Sequence, residues 1–170
     1  MTELDGISKS SRKAMTESEE EIQVVEFLLG DDKFAINLFD VKEIVEYTRI
    51  TPLPGSNQYI KGIIDLRGEI TSIIDLKAKM NITSSSGTIE QSRIIVIDSS
   101  VTKGKTGILV DDVTTVLSIR ESQIDKKINE ATDSQYILGI IKQNVGDRET
   151  EKTELVIWID VPGILRDMSQ

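Results

Sequence analysis

Two acidic doublets and one arginine are the residues of this chain whose type and placement bear on chemistry. Asp31-Asp32 and Asp111-Asp112 are adjacent carboxylates, the groups that hold a divalent cation or move a proton. Asp31-Asp32 follows Gly30 between two apolar runs, a setting in which Asp serves a turn through bonds to nearby backbone. Asp111-Asp112 closes an apolar run, and successive strand side chains point to opposite faces. Neither doublet has the ligand spacing of a calcium loop. A carboxylate centre would need the fold to gather Asp98, Asp111 and Asp160. The chain contains no His and no Cys, which removes the usual proton shuttle, the commonest metal ligand and all thiolate chemistry. It also lacks a glycine-rich phosphate loop and a nucleophile elbow. No catalytic residue, metal or cofactor is expected. Arg67 stands differently, in Leu66-Arg67-Gly68 between two apolar runs, where a Gly turn would hold it at the tip of a hairpin. Glu43, taken alone, reads as a solvated surface acid.

The elements that must position these residues are strands. The 170 residues suit one domain or two very small ones. Ile and Val are abundant, aromatics number seven, and branched side chains pack well on a pleated surface. Residues 61–76 carry an Ile-Ile-Asp-Leu quartet on each arm of the Arg67-Gly68 hairpin. Further strands read at 24–29, 33–37, 93–98, 106–111, 113–119, 136–141 and 155–161, while 40–45 suits a helical turn as well as a strand. Pro162-Gly163 is expected to end the last strand and 164–168 to form a short helix. Residues 1–21 are too polar to offset the entropy of ordering them and are expected to be a disordered tail.

A net charge of −9 disfavours nucleic acid and anionic membrane as partners, since both demand a basic face. No apolar run approaches a membrane span, and no signal peptide is evident, which points to a cytoplasmic protein. A small barrel binding single-stranded nucleic acid is the alternative from another class. It would want cationic grooves and aromatic platforms.

The chain repeats itself. Tyr59-Ile-Lys-Gly-Ile-Ile64 is echoed by Tyr136-Ile-Leu-Gly-Ile-Ile141, and Ile73-Ile-Asp-Leu76 by Trp158-Ile-Asp-Val161. The second offset is larger, so a longer connecting loop is expected over 142–153. The fold class that follows is all-β, with two similar five-stranded barrels and short helical segments. The first would cover roughly 22–82 and the second roughly 90–165, with strand exchange between them allowed.

These residues resemble a known family. Phe27-Leu-Leu-Gly-Asp-Asp-Lys-Phe-Ala-Ile36, Val41-Lys-Glu-Ile44, Ile60-Lys-Gly-Ile-Ile-Asp-Leu-Arg-Gly68 and Gly107-Ile-Leu-Val-Asp-Asp-Val113 are similar to the CheW family of chemotaxis adapters, collinearly from about Val24 to Leu165. The resemblance implies SH3-like barrels in a free-standing, non-enzymatic scaffold linking the cytoplasmic tips of chemoreceptors to the regulatory domain of a CheA-type histidine kinase. It implies recruitment to membrane-associated receptor arrays without insertion into the bilayer. A CheW-like scaffold of a non-chemotactic receptor–kinase pathway is the nearest alternative. By resemblance, Glu43 and Arg67 form a pair on the partner-contacting surface with Val41 beside them. Gly62, Gly68, Ile94, Gly107 and Gly139 fall on positions tied to binding or to the shape of that surface. The chain departs from the family at Asp65, where Asn is usual, and at Asp112, where Gly is common.

Overall fold

A computed structural model describes residues 20–128 and 135–168. The expected tail lies outside the described residues except for its last two, and Glu21 already begins a strand. Eleven strands are described: β1 Glu21–Leu29, β2 Asp32–Asn37, β3 Val41–Glu46, β4 Ile60–Leu66, β5 Glu69–Asp75, β6 Arg93–Ile97, β7 Thr106–Val110, β8 Asp112–Arg120, β9 Ile124–Asp125, β10 Ile137–Val145 and β11 Lys152–Ile159. Two short helices, α1 Leu76–Lys79 and α2 Val161–Met168, follow β5 and β11. The ambiguous 40–45 stretch resolves into a 3-10 turn at Leu38–Asp40 and then strand β3, whose alternating exposure is that of a half-buried sheet.

The strands form two sheets, each a barrel-like half. One runs β3-β6-β7-β5-β4 and the other β8-β1-β2-β11-β10-β9. The barrels therefore do not divide between residues 82 and 90, where the sequence places the boundary. Residues 41–110 build one barrel without interruption, called here the inserted barrel. The hairpin β1–β2 joins β8–β11 to build the other, the split barrel. It has six strands where five were expected, the extra one being the two-residue β9. The pairing that decides membership is parallel in both cases, β5 with β7 and β11 with β2. Such contacts are remote in sequence and leave no local mark.

The repeat is real at the level of hydrogen bonds. Each barrel has the order antiparallel, antiparallel, parallel, antiparallel across its five shared strands. β4 and β10 carry the same bulge, before Gly62 and before Gly139. The amide of Asp75 donates to Tyr59 O at 2.8 Å and that of Asp160 to Tyr136 O at 2.7 Å. Both aspartates then cap a helix: Asp75 accepts from the Ala78 amide and Asp160 from the Gly163 amide, each at 3.1 Å. This satisfies an amide that a helix start leaves without a partner. Pro162-Gly163 accordingly lies in the first turn of α2 and does not end β11, because Pro is tolerated where no amide bond is required.

Three apolar cores are found among the described residues. Ile64, Ile73, Ile94 and Val96 fill the inserted barrel, and Val24, Ala35, Ile119, Ile141, Val156 and Trp158 fill the split one. The largest lies between them, where Phe27, Phe34 and Ile36 of the split barrel meet Ile74, Ile95 and Ile108 of the inserted barrel under α2. Branched side chains dominate all three, as expected of packed pleated faces.

Candidate functional site

The inserted barrel closes where the chain after β3 returns to β4. The amide of Thr51 donates to Ile63 O at 2.9 Å and the amide of Ile63 to Thr51 O at 2.8 Å. Gly62 permits this approach, since a Cβ there would overlap the Thr51 carbonyl oxygen. From this closed frame the β4–β5 hairpin projects over β3. Leu66 pairs with Glu69, which leaves Arg67-Gly68 as a two-residue turn. Arg67 has φ 54° and Gly68 φ 85°, so both turn residues are left-handed, the arrangement of a type I′ turn. The Asp65 carboxylate accepts the Gly68 amide at 2.7 Å. The family departure at Asp65 is thus spent on the turn.

Arg67 reaches from this turn to β3. Its Nη1 donates to Glu43 Oε1 at 2.9 Å, and its Nη2 lies 2.8 Å from Glu43 Oε2. One hydrogen bond and a second close charge contact on the other oxygen restrain the plane of the guanidinium as well as its position. The Arg67 side chain is 71% exposed and Glu43 22%. An exposed pair of this kind adds about 0–1 kcal/mol to stability, so its consequence is orientation. A groove of about 350 Å³ opens beside it, in which Lys42, Arg67, Lys103 and Lys105 face Glu43 and Glu69. The groove is cationic on a chain that is strongly acidic.

The expected site residues divide on placement. Val41, Glu43, Arg67 and Gly68 lie on β3 and the hairpin tip of the inserted barrel. Gly62 lies behind them at the closure. Ile94 is fully buried, and a Cβ on Gly107 would stand 2.8 Å from Ile94 Cγ2. These two are interior residues that shape the barrel and present no surface of their own. Gly139 is in the split barrel, where a Cβ would stand 2.6 Å from Ile124 Cγ2 of β9. The sequence reading missed Lys42, Lys103, Lys105 and Glu69. Their one sequence signal is the cationic Lys103-Gly-Lys105 pair in an acidic chain.

The carboxylate alternative finds no support. Asp111 Oδ2 accepts the Gly30 amide at 2.7 Å and lies 3.2 Å from Lys77 Nζ, so it joins the β1–β2 turn to α1 across the two barrels. Asp98 binds the Ser100 amide and hydroxyl, which hold its carboxyl below the usual range, and Asp160 is a helix cap. Among the described residues no group of acids is placed to hold a metal. No helix among them is long and apolar enough to cross a membrane.

Comparison with known proteins bears on the same residues. The family model of the CheW-like domain matches residues 23–169. The chain belongs to the CheW-like domain family. The chemotaxis protein CheW of Klebsiella aerogenes is 35% identical over 141 residues, which is 82% of this chain and 78% of that protein. A probable chemotaxis protein CheW of Rhizobium etli is 31% identical over 121 residues, 70% of this chain and 76% of that one. The crystal structure of the scaffolding protein TtCheW from Thermoanaerobacter tengcongensis superposes with a TM-score of 0.68 at 28% identity, covering 85% of this chain and 88% of that chain. CheW-like proteins are adapters that scaffold chemotaxis signalling and are not enzymes, and this chain has that role.

Proposed function

We propose that this CheW-like domain couples the cytoplasmic tips of chemoreceptors to the regulatory domain of a CheA-type histidine kinase. The protein would work in the cytoplasm, held at membrane-associated receptor arrays by its partners. The observation that carries the reading is the preformed Arg67–Glu43 pair on a left-handed turn. A non-glycine residue at positive φ costs energy that the surrounding structure must impose, and such outliers gather at binding sites. Here it aims one guanidinium outward with its plane already set, so a partner need not order it on binding. Glu43, Arg67 and Gly68, flanked by Val41, form the contact face, and Gly62, Ile94 and Gly107 give the barrel beneath it its shape. Gly139 would act in the same way on the split barrel. Signalling through such a scaffold is geometric, with the adapter setting how kinase and receptor stand to each other.

Co-sedimentation of the full chain with receptor fragments and kinase tests this. Arg67→Glu is expected to weaken binding to at least one partner by tenfold or more. Unchanged binding of both partners by Arg67→Glu sinks the proposed face.

A further inference from the structure

The corresponding end of the split barrel holds a different set of charges. Ile73 pairs with Gly107 in one barrel and Trp158 with Ala35 in the other, so Glu69 and Lys105 correspond to Glu154 and Lys33, and Val96 corresponds to Glu26. The Lys–Glu pair recurs at both ends, as Lys105 with Glu69 and as Lys33 Nζ with Glu154 Oε2 at 2.6 Å. The added group is Glu26. Its side chain is 4% exposed, and its Oε1 is buried without a hydrogen bond. Lys33 Nζ forms an ion pair with it at 3.4 Å, and its nearer partner is Glu154.

Two carboxylates therefore share one cation. In the inserted barrel Glu69 has Lys105 and Glu43 has Arg67, which the hairpin tip delivers. The split barrel's tip is turned upon itself instead. Asp147 accepts the amides of Glu149 and Thr150 and the Thr150 hydroxyl. A buried carboxylate oxygen without a donor costs free energy, and native structures leave few such groups.

We infer that this end of the split barrel is a docking point for a basic side chain of a protein partner. The arriving cation pairs with Glu154, which is 39% exposed and open to solvent. Lys33 is then released to swing on its flexible stem and donate to Glu26 Oε1. A hard divalent ion is a poorer occupant, because it requires six or so oxygen ligands and would meet an ammonium between the two acids. A guanidinium matches a carboxylate with two bonds. The twin barrel offers a parallel in kind and not in position: its hairpin-tip arginine meets Glu43, which pairs with Val96, whereas Glu26 pairs with Thr115. The inference concerns the other barrel and stands apart from the Arg67 face.

The test is titration of the isotope-labelled full chain, followed by NMR, with N-acetyl-arginine amide. Its uncharged counterpart N-acetyl-citrulline amide, magnesium chloride and a closed hairpin peptide with arginine at its tip are run beside it. Saturable shifts are expected at Glu26, Lys33 and Glu154 with the two arginine probes and not with citrulline. The hairpin should bind at least tenfold tighter than the amide. Glu154→Gln should weaken both by fivefold or more, and Glu26→Gln should remove the response of the Lys33 ammonium while the spectrum stays dispersed. No saturable shift, an equal response to citrulline, or a response untouched by both variants overturns the proposal. A stronger response to magnesium, or a hairpin no tighter than the amide, overturns it in favour of a simple cation site.

Discussion

The β4–β5 and β10–β11 hairpins occupy the same place in two barrels of one design, yet they end differently. β4 turns into β5 over two residues and sets Arg67 on the Glu43 carboxylate. β10 pairs with β11 for two further rungs, Asn144 with Thr153 and Val145 with Lys152, before a six-residue loop that binds itself through Asp147. Beneath the first tip is a cationic groove, and beneath the second a buried acid one cation short. Keeping one frame while altering its ends gives a scaffold two faces of opposite character, which suits a protein whose task is to hold unlike partners.

The largest test of this equivalence concerns the bulge glycines. Gly62 and Gly139 hold the same position, but the first faces the Thr51 backbone and the second mainly an Ile124 methyl. Backbone that closes a barrel cannot give way as a side chain can. Gly62→Ala is expected to cost about 3 kcal/mol and Gly139→Ala about 1 kcal/mol, as read by urea unfolding. Equal costs would mean that the two closures are alike in strength.

Next in size is the buried acid. Glu26→Val installs the residue that the twin barrel uses, Val96, and leaves Lys33 with Glu154. Removing a poorly paired buried charge in favour of a packed apolar group is expected to stabilise the fold by about 1–2 kcal/mol. A loss of stability would show that Lys33 already satisfies Glu26, and would remove the motive for an external cation.

Much of this asymmetry was hidden in the sequence, for identifiable reasons. The Tyr-Ile-x-Gly-Ile-Ile repeat marked β4 and β10 because bulge and strand are local, and Ile-Asp marked the two capped helix starts. Barrel membership was not legible, since β1–β2 reaches the split barrel through a parallel pairing of β2 with β11, over a hundred residues on. The 142–153 stretch read as a loop because its polar residues hide a solvent-exposed hairpin extension. Resemblance groups Ile94 and Gly107 with the contact face, since it does not distinguish touching a partner from shaping the barrel behind. Glu26 carries a sequence signal, as the one acid within the apolar run Val24-Val25-Glu26-Phe27-Leu28, on the side of the strand that Val24 shares.

A smaller effect separates orientation from stability at Arg67. Asn tolerates the left-handed region better than arginine does, so Arg67→Asn is expected to gain up to about 1 kcal/mol while abolishing partner binding through this face. Gly68→Ala should lose about 1 kcal/mol, for conformational reasons alone, because a Cβ there meets no atom within 4 Å. Thermal unfolding beside co-sedimentation reads both. An Arg67→Asn chain that is less stable than wild type would show that the pair holds the barrel together and does more than aim the arginine.

The smallest effect lies at the joint between the barrels. Asp40 ends the 3-10 turn linking β2 to β3, and its carbonyl accepts the Asp98 amide at 2.8 Å. Burial pushes its carboxyl above the usual range, and the charges of Asp160 and Asp98 push the same way. A carboxyl whose folded pKa is raised binds its proton more tightly in the folded chain than in the unfolded one. Its ionisation therefore costs stability once the pH exceeds the ordinary carboxylate range, and the cost fades as the pH falls through it. Asp40→Asn is expected to raise Tm at neutral pH, with the gain shrinking on acidification. Asp98 works the other way, since its lowered pKa contributes stability that is lost as the pH falls, but it is common to both chains and cancels in their difference. A gain for Asp40→Asn that persists unchanged in acid would assign it to packing at the joint, and would leave the Asp40–Asp160 repulsion without effect on how the two barrels are held.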